Sequence, residues 1–230
     1  MDIPELIPGT FVQRDNRFRA TVKVDGQKTG AFVPNSGRLT DLFTPGRRVW
    51  LHPASSQGRK TDYDLKLVEH KGVLVSVDAR LPNPLFEEYL LRGEPWFNKG
   101  PGAFEIQREV TRGESRLDFK LQGAQGVCWV ETKSITLVEE GTALFPDAPT
   151  ARGRRHVAEL LDAAQEGEGA AVVFVVQRPD AESFSPYRTV DPAFARVLRQ
   201  AAEAGVAVKA FTCQVSMSRI IIEGEIPCNL

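Results

Sequence analysis

The feature that most constrains this chain is a change of hydrophobic period near residue 82. Before it, short segments alternate apolar and polar residues and are punctuated by Gly, Pro and Asn, with no helical stripe. In RFRATVKV, Phe18, Ala20, Val22 and Val24 take one face and Arg17, Arg19 and Lys23 the other, the period of a half-buried strand. GAFV, RRVWLHP, YDLKLVEH and VLVSVDA follow, separated by PNSG, TPG, SSQGRK and HKG. About five strands in roughly 80 residues predict a small β-barrel, the OB fold being the commonest of that size. An SH3-like barrel has the same count.

At LPNPLFEEYLLRGE the period becomes helical, with Asn83 as N-cap, Pro84 at the first helical position, a stripe of Leu85, Tyr89 and Leu90, and an end near Gly93. This divides the chain into residues 1–82 and 83–230. The second part reads as strands AFEIQREVTR, SRLDFKLQ and GVCWVETKSITL, helix TARGRRHVAELLDAAQEG, strand AAVVFVVQR, helix DPAFARVLRQAAEAG, and a final strand pair, VAVKAFTCQV and RIIIEGEI. Helix, three strands, helix, strand is an α/β arrangement on a mixed sheet. The early strands are joined tightly enough to be antiparallel and the later ones need crossovers.

Composition narrows the function classes. The 230 residues carry 29 Lys+Arg against 30 Asp+Glu, so no global charge advertises a nucleic-acid or membrane partner, and any such surface is local. No run approaches the roughly 18 apolar residues of a membrane span, and MDIPELIPGT lacks the basic and apolar regions of a signal peptide, so a cytoplasmic protein is expected. Cys128, Cys213 and Cys228 lack CxxC spacing, and with three histidines they argue for reduced structural thiols over a zinc site.

The chemistry concentrates in SRLDFKLQGAQGVCWVETKSITL. Arg116, Asp118 and Lys120 share one strand face, and Trp129, Glu131, Lys133 and Ile135 share a face of the next. If the two strands form a hairpin, Asp118 and Glu131 sit opposite each other and repel, unless a cation lies between them. Hard oxygen ligands with room for water suit Mg²⁺ or Mn²⁺, and Lys133 is placed to orient water or stabilise charge on a phosphate. A wet face, in which the acids only salt-bridge Lys133, Arg116 and Lys120, accounts for the same charges without a ligand.

The order of elements resembles the PD-(D/E)xK nuclease fold, which has an acid ending one strand and E-x-K on the next, within an αβββαβ core. The resemblance implies Asp118, Glu131 and Lys133 as catalytic residues, with Asp118, Glu131 and the Thr132 carbonyl as metal ligands. An acid on the first helix would be Glu88, with Glu87 in reserve. The proline before the first acid is replaced by Leu117. A narrower resemblance covers nearly the whole chain: PNSGRL, TPG, VDARLPNPL, SRLDF, VETKSITL, FPDAPTARGRRH and FSP are similar to the sugar fermentation stimulation protein A family of bacteria. It implies an N-terminal OB-like domain, a nuclease-like second domain, and DNA binding linked by name to sugar-utilisation (maltose-type) genes.

FPDAPTARGRRH leads into the next helix, where Thr150 can cap and Arg152, Arg154, Arg155 and His156 crowd the first two turns. Cations there oppose the macrodipole by roughly 0.3 to 1 kcal/mol each. A bound phosphate offsets this; solvated arginines balanced by Asp147 and Glu159 are the alternative. The expected phosphate contacts are Arg116, Thr150, Arg152, Arg154 and His156, with Arg17, Arg19 and the PNSG-loop residue Asn35 from the first domain. His156 also reads as a packed or capping histidine. The aromatics Phe11, Phe18, Phe32, Phe43, Trp50 and Tyr63 interleave with that domain's basic residues, as in strand-binding OB grooves, but the strand period puts Phe18 in the core.

Overall fold

The computed structural model describes residues 1–54, 58–92, 104–124 and 126–230. Residues 55–57 of the expected SSQGRK connection, the expected helix end at Gly93 and the expected strand start at Ala103 lie outside them.

The first domain is a closed five-stranded OB-like barrel of β1 (Ile7–Asn16), β2 (Arg19–Val24), β3 (Gln27–Phe32), β4 (Arg48–Pro53) and β5 (Tyr63–His70). Closure comes from a parallel pairing of β3 with β5 at Ala31↔Tyr63 and Phe32↔Asp64, which leaves the small sheet without a free edge. Phe11, Ala20, Val22, Ala31, Val49, Leu51 and Leu65 fill the interior. The sequence pattern did not reveal β1, because Pro8, Gly9 and two register shifts break its alternation. Gly9 is required there: a Cβ would stand 2.8 Å from Leu51 Cδ1. Phe18 corrects the period-based placement; it precedes β2 and is 46% exposed. A sixth strand, β6 (Val73–Ser76), pairs with β5 and carries the chain to the second domain.

There, α1 (Pro82–Leu91), β7 (Phe104–Arg112), β8 (Ser115–Gly123) and β9 (Gly126–Ile135) precede two short strands, β10 (Val138–Glu139) and β11 (Thr142–Phe145). Next come α2 (Ala151–Gln165), β12 (Gly169–Val176), β13 (Ser183–Pro186), α3 (Pro192–Glu203), β14 (Ala207–Val215) and β15 (Ile220–Ile226). The main sheet runs β15-β14-β12-β9-β8-β7, with β12 parallel to both β9 and β14 and the outer pairs antiparallel. A small sheet, β10-β11-β13, stands apart from it. Its strands are too short to leave a period in the sequence.

Alternation along β12 explains the three layers. Val172, Phe174 and Val176 pack with Val157, Leu160 and Ala163 of α2 and with Phe194 and Leu198 of α3. Ala171, Val173 and Val175 pack on the other side with Leu85, Phe86 and Leu90 of α1. A central strand covered on both faces must be apolar throughout. Each fully buried Val, Leu or Phe contributes on the order of 1.5–3 kcal/mol.

The helix starts decide where the polar side chains go. Thr150 caps α2, accepting from Gly153 N at 3.0 Å, and Asp191 caps α3, accepting from Phe194 N at 2.9 Å. At α1 the sequence reading needs correction: the helix begins at Pro82, Leu81 is the N-cap residue, and no side chain caps it. Pro82 fixes the backbone for a helical start and needs no N–H partner, so Asn83 lies within the first turn with its amide free for other work.

Candidate functional site

The β8–β9 ladder runs from Gly123↔Gly126 to Phe119↔Val130, so Asp118 and Glu131 are the next residue on each strand. The hairpin thus brings the two acids together, but the ladder opens there. Asp118 Oδ2 accepts from Thr132 N at 2.8 Å and faces Thr132 Oγ1 at 3.0 Å, while Oδ1 accepts from Asn83 Nδ2 at 2.8 Å. Thr132 Oγ1 also contacts Asn83 Oδ1. The first turn of α1 and one backbone N–H of β9 therefore aim a single carboxylate.

Glu131 is almost fully buried, and its two oxygens differ. Oε1 accepts from Lys133 Nζ and from His156 Nδ1. His156 takes Arg152 Nε at its Nε2, 3.3 Å away, which leaves the Nδ1 proton for Glu131. Oε2 is buried with no hydrogen-bond partner. Burial pushes the Glu131 carboxyl up, but Lys133 and His156 outweigh it and hold the group below its ordinary range. Burial, then the charge of Glu131, hold Asp118 above its ordinary range despite Lys133 and its donors. Two carboxylates with opposite shifts, beside an orphaned oxygen, form a site one cation short of balance.

These residues fit a divalent cation. Mg²⁺ is commonly bound through one or two carboxylates, keeping waters and substrate oxygens for its other positions. Among the described residues no group of three or more His, Cys, Asp and Glu is placed to hold a metal, so the donors would be Asp118, Glu131 and backbone oxygen. Glu88, the expected acid from α1, is elsewhere: it pairs with the Met1 amino group at 2.7 Å and with Arg219 at 3.9 Å. Glu87 pairs with Arg108. The contribution of α1 to the site is Asn83, which its apparent capping role concealed.

The acids line a cleft of about 580 Å³ walled by both domains. Lys133, Thr132, Thr150 and Arg152 face it from the second domain; Arg17, Asn35 and Arg38 face it from the barrel, with Arg80 from the connecting segment. Several predicted phosphate contacts are engaged elsewhere. Arg154 binds Asp191 Oδ1 and Oδ2 at 2.9 and 2.7 Å. The balance expected from Asp147 and Glu159 thus comes from Asp191, since Asp147 accepts from Arg38 N and Glu159 pairs with Arg112. Arg116 pairs with Glu109 at 3.0 Å, and Arg19 with Asp15 at 3.3 Å; neither lines the cleft. His156 is buried behind Glu131 and holds it in place.

Asn35 lines the cleft, yet its side chain serves the loop: Nδ2 donates to Val77 O at 3.1 Å and Oδ1 accepts from Gly37 N at 2.8 Å. Arg14, which the sequence offers only as one of the barrel's basic residues, organises the same loop. Its guanidinium donates to the carbonyls of Asn35, Arg38, Arg17 and Gly37. An arginine in an irregular strand is a weak sequence signal, because its partners are backbone carbonyls and those in the loop, Asn35, Gly37 and Arg38, lie more than 20 residues away.

Comparison with known proteins matches this architecture domain by domain. Residues 12–77 match the family model described as SfsA N-terminal OB domain, and residues 80–219 the sugar fermentation stimulation protein RE domain. The chain is 45% identical over 228 residues to the sugar fermentation stimulation protein homolog of Desulforamulus reducens, covering 99% of this chain and 94% of that one. It is 48% identical over 214 residues to the homolog of Moorella thermoacetica, covering 91% and 90%. The structure of Pyrococcus furiosus SfsA in complex with Ca²⁺ superposes with a TM-score of 0.90 at 35% identity, covering 100% of this chain and 98% of that one. With both domains matched and identity running over nearly its full length, the chain belongs to the sugar fermentation stimulation protein family.

Proposed function

We propose that this is a DNA-binding protein that holds a divalent cation, Mg²⁺ or Mn²⁺, at Asp118 and Glu131 and hydrolyses a phosphodiester bond in the cleft between its domains. The buried, unpartnered Oε2 of Glu131 beside Asp118 carries this reading. The Ca²⁺ in the Pyrococcus furiosus relative supports a divalent site of the same kind. When bound, the cation supplies Lewis acidity and a more acidic water.

The chain's own residues do the rest. Asn83 and the Thr132 N–H orient Asp118, and His156 fixes Glu131 so that Oε2 is left for a ligand. The Thr132 carbonyl would complete the protein donors. Lys133, held against Glu131, keeps a positive charge where a phosphate in the cleft would carry its negative one. Arg17 and Arg38 on the barrel side, and Arg152 at the start of α2, would contact backbone phosphates, which position a strand without reading its sequence. An odd number of cysteines without CxxC spacing suits a reducing compartment, and we place the protein in the cytoplasm.

Binding without cleavage is a second reading, favoured by the small protein donor set of two carboxylates. Incubation with single-stranded, duplex and branched DNA and with RNA, in Mn²⁺, separates the two. Cleavage by wild type that is lost in Glu131→Gln is expected; binding with no cleavage of any substrate would leave a regulatory DNA-binding role and overturn hydrolysis.

A further inference from the structure

A second groove, of about 640 Å³, lies on the barrel beside the carboxylate cleft. Phe18 lines it, 46% exposed, while every other phenylalanine among the described residues is buried or half-buried. The position is built: Asn16 Oδ1 accepts from Phe18 N at 2.9 Å, and Phe18 O accepts from Val33 N at 2.9 Å. Phe18 lies over Phe32 with ring centres 6.4 Å apart and planes at 27°. Arg59 and Arg80 stand 5.7 and 6.0 Å from the centre of the Phe32 ring. Exposed Lys60 adds a cation to the lining, while Asp64 offsets Arg59 and Asp78 offsets Arg80.

We infer that Phe18 and Phe32 form a stacking platform for an unpaired nucleobase, and that this groove delivers a single-stranded segment to the carboxylate cleft. Exposing an aromatic ring to water is unfavourable, and a base has the flat apolar face that covers it, while Lys60 matches a neighbouring phosphate. Arg80 lines both the groove and the cleft, so the two adjoin at its side chain. The inference rests on the proposed function and adds the class of substrate: strands with unpaired ends or loops.

Anisotropy of labelled oligo(dT), oligo(rU) and an abasic strand of equal length, all in EDTA, tests the platform apart from the metal. Wild type should bind the base-bearing strands more tightly than the abasic one, and a preference between dT and rU assigns the strand as DNA or RNA. Phe18→Ala should weaken base-bearing strands about five- to a hundredfold and leave the abasic strand unchanged, while Phe18→Tyr retains wild-type binding. Unchanged binding in Phe18→Ala, or equal loss on abasic and base-bearing strands, overturns the platform. Melting of Phe18→Ala with and without Mn²⁺ separates the two failures: a retained metal shift shows that the carboxylate site stands whatever becomes of the platform.

Discussion

Asp118 accepts hydrogen bonds from Asn83 and Thr132 and still titrates above the ordinary carboxylate range, because burial and the neighbouring Glu131 outweigh those donors. An acid in that state destabilises the cation-free protein at neutral pH: the native state binds its proton more tightly than the unfolded chain does, so stability falls as pH rises through the native value. A neutral isostere removes the repulsion. Asp118→Asn is expected to raise the melting temperature in EDTA by about 2–4 °C, the equivalent of roughly 1 kcal/mol for a chain of this length. A lower melting temperature would mean that the donors matter more than the repulsion. Stability gained on removing a charge is the signature of a residue kept for function.

At the scale of elements, what could be read in the sequence follows what is periodic. The α2 and α3 helices were legible because burial on one face imposes a repeat, β12 because burial on both faces leaves an unbroken apolar run, and the tight β8–β9 hairpin made the meeting of Asp118 and Glu131 derivable from alternation alone. β1 was hidden by its bulges, and β10, β11 and β13 by their shortness. Asn83 was misassigned because an Asn before an apolar stripe is a capping signal, whereas α1 starts at Pro82, two residues before the expected Pro84. The pairing of Arg154 with Asp191 left no signal in the sequence, because the two are 37 residues apart. Asp191 joins two helices: it caps α3, accepts from Thr150 N at 2.8 Å, and takes Arg154, all while 2% exposed. Burial pushes its carboxyl up, but the Thr150 and Phe194 N–H groups and Arg154 outweigh it, so the native value lies below the ordinary range. Its stabilisation is therefore present above the unfolded value of about 3.9 and lost as pH falls through the lower native value. Asp191→Asn should cost about 1–3 kcal/mol at pH 7, and the gap between variant and wild-type melting curves should close below about pH 4. A gap independent of pH would show that charge is not what Asp191 contributes.

The second domain assembles the carboxylates, and the whole molecule sets the barrel opposite them. Gln177, fully buried, bridges the two halves: its carbonyl accepts from Ser76 N at 3.0 Å, its Oε1 from Ser76 Oγ at 2.9 Å, and its Nε2 donates to Asp78 O at 3.0 Å and to Ser134 Oγ at 2.8 Å. That seam sets the barrel loop held by Arg14 across from β9, and the cleft is what lies between them. A cation held there stabilises the folded molecule as a whole, by about 2.7 kcal/mol at a hundred times its dissociation constant. The most direct measurement is the melting temperature of wild type, Asp118→Ala and Glu131→Ala as Mn²⁺ replaces EDTA. A rise of several degrees in wild type and none in either variant is the predicted result; an equal shift in all three would contradict a cation site at Asp118 and Glu131.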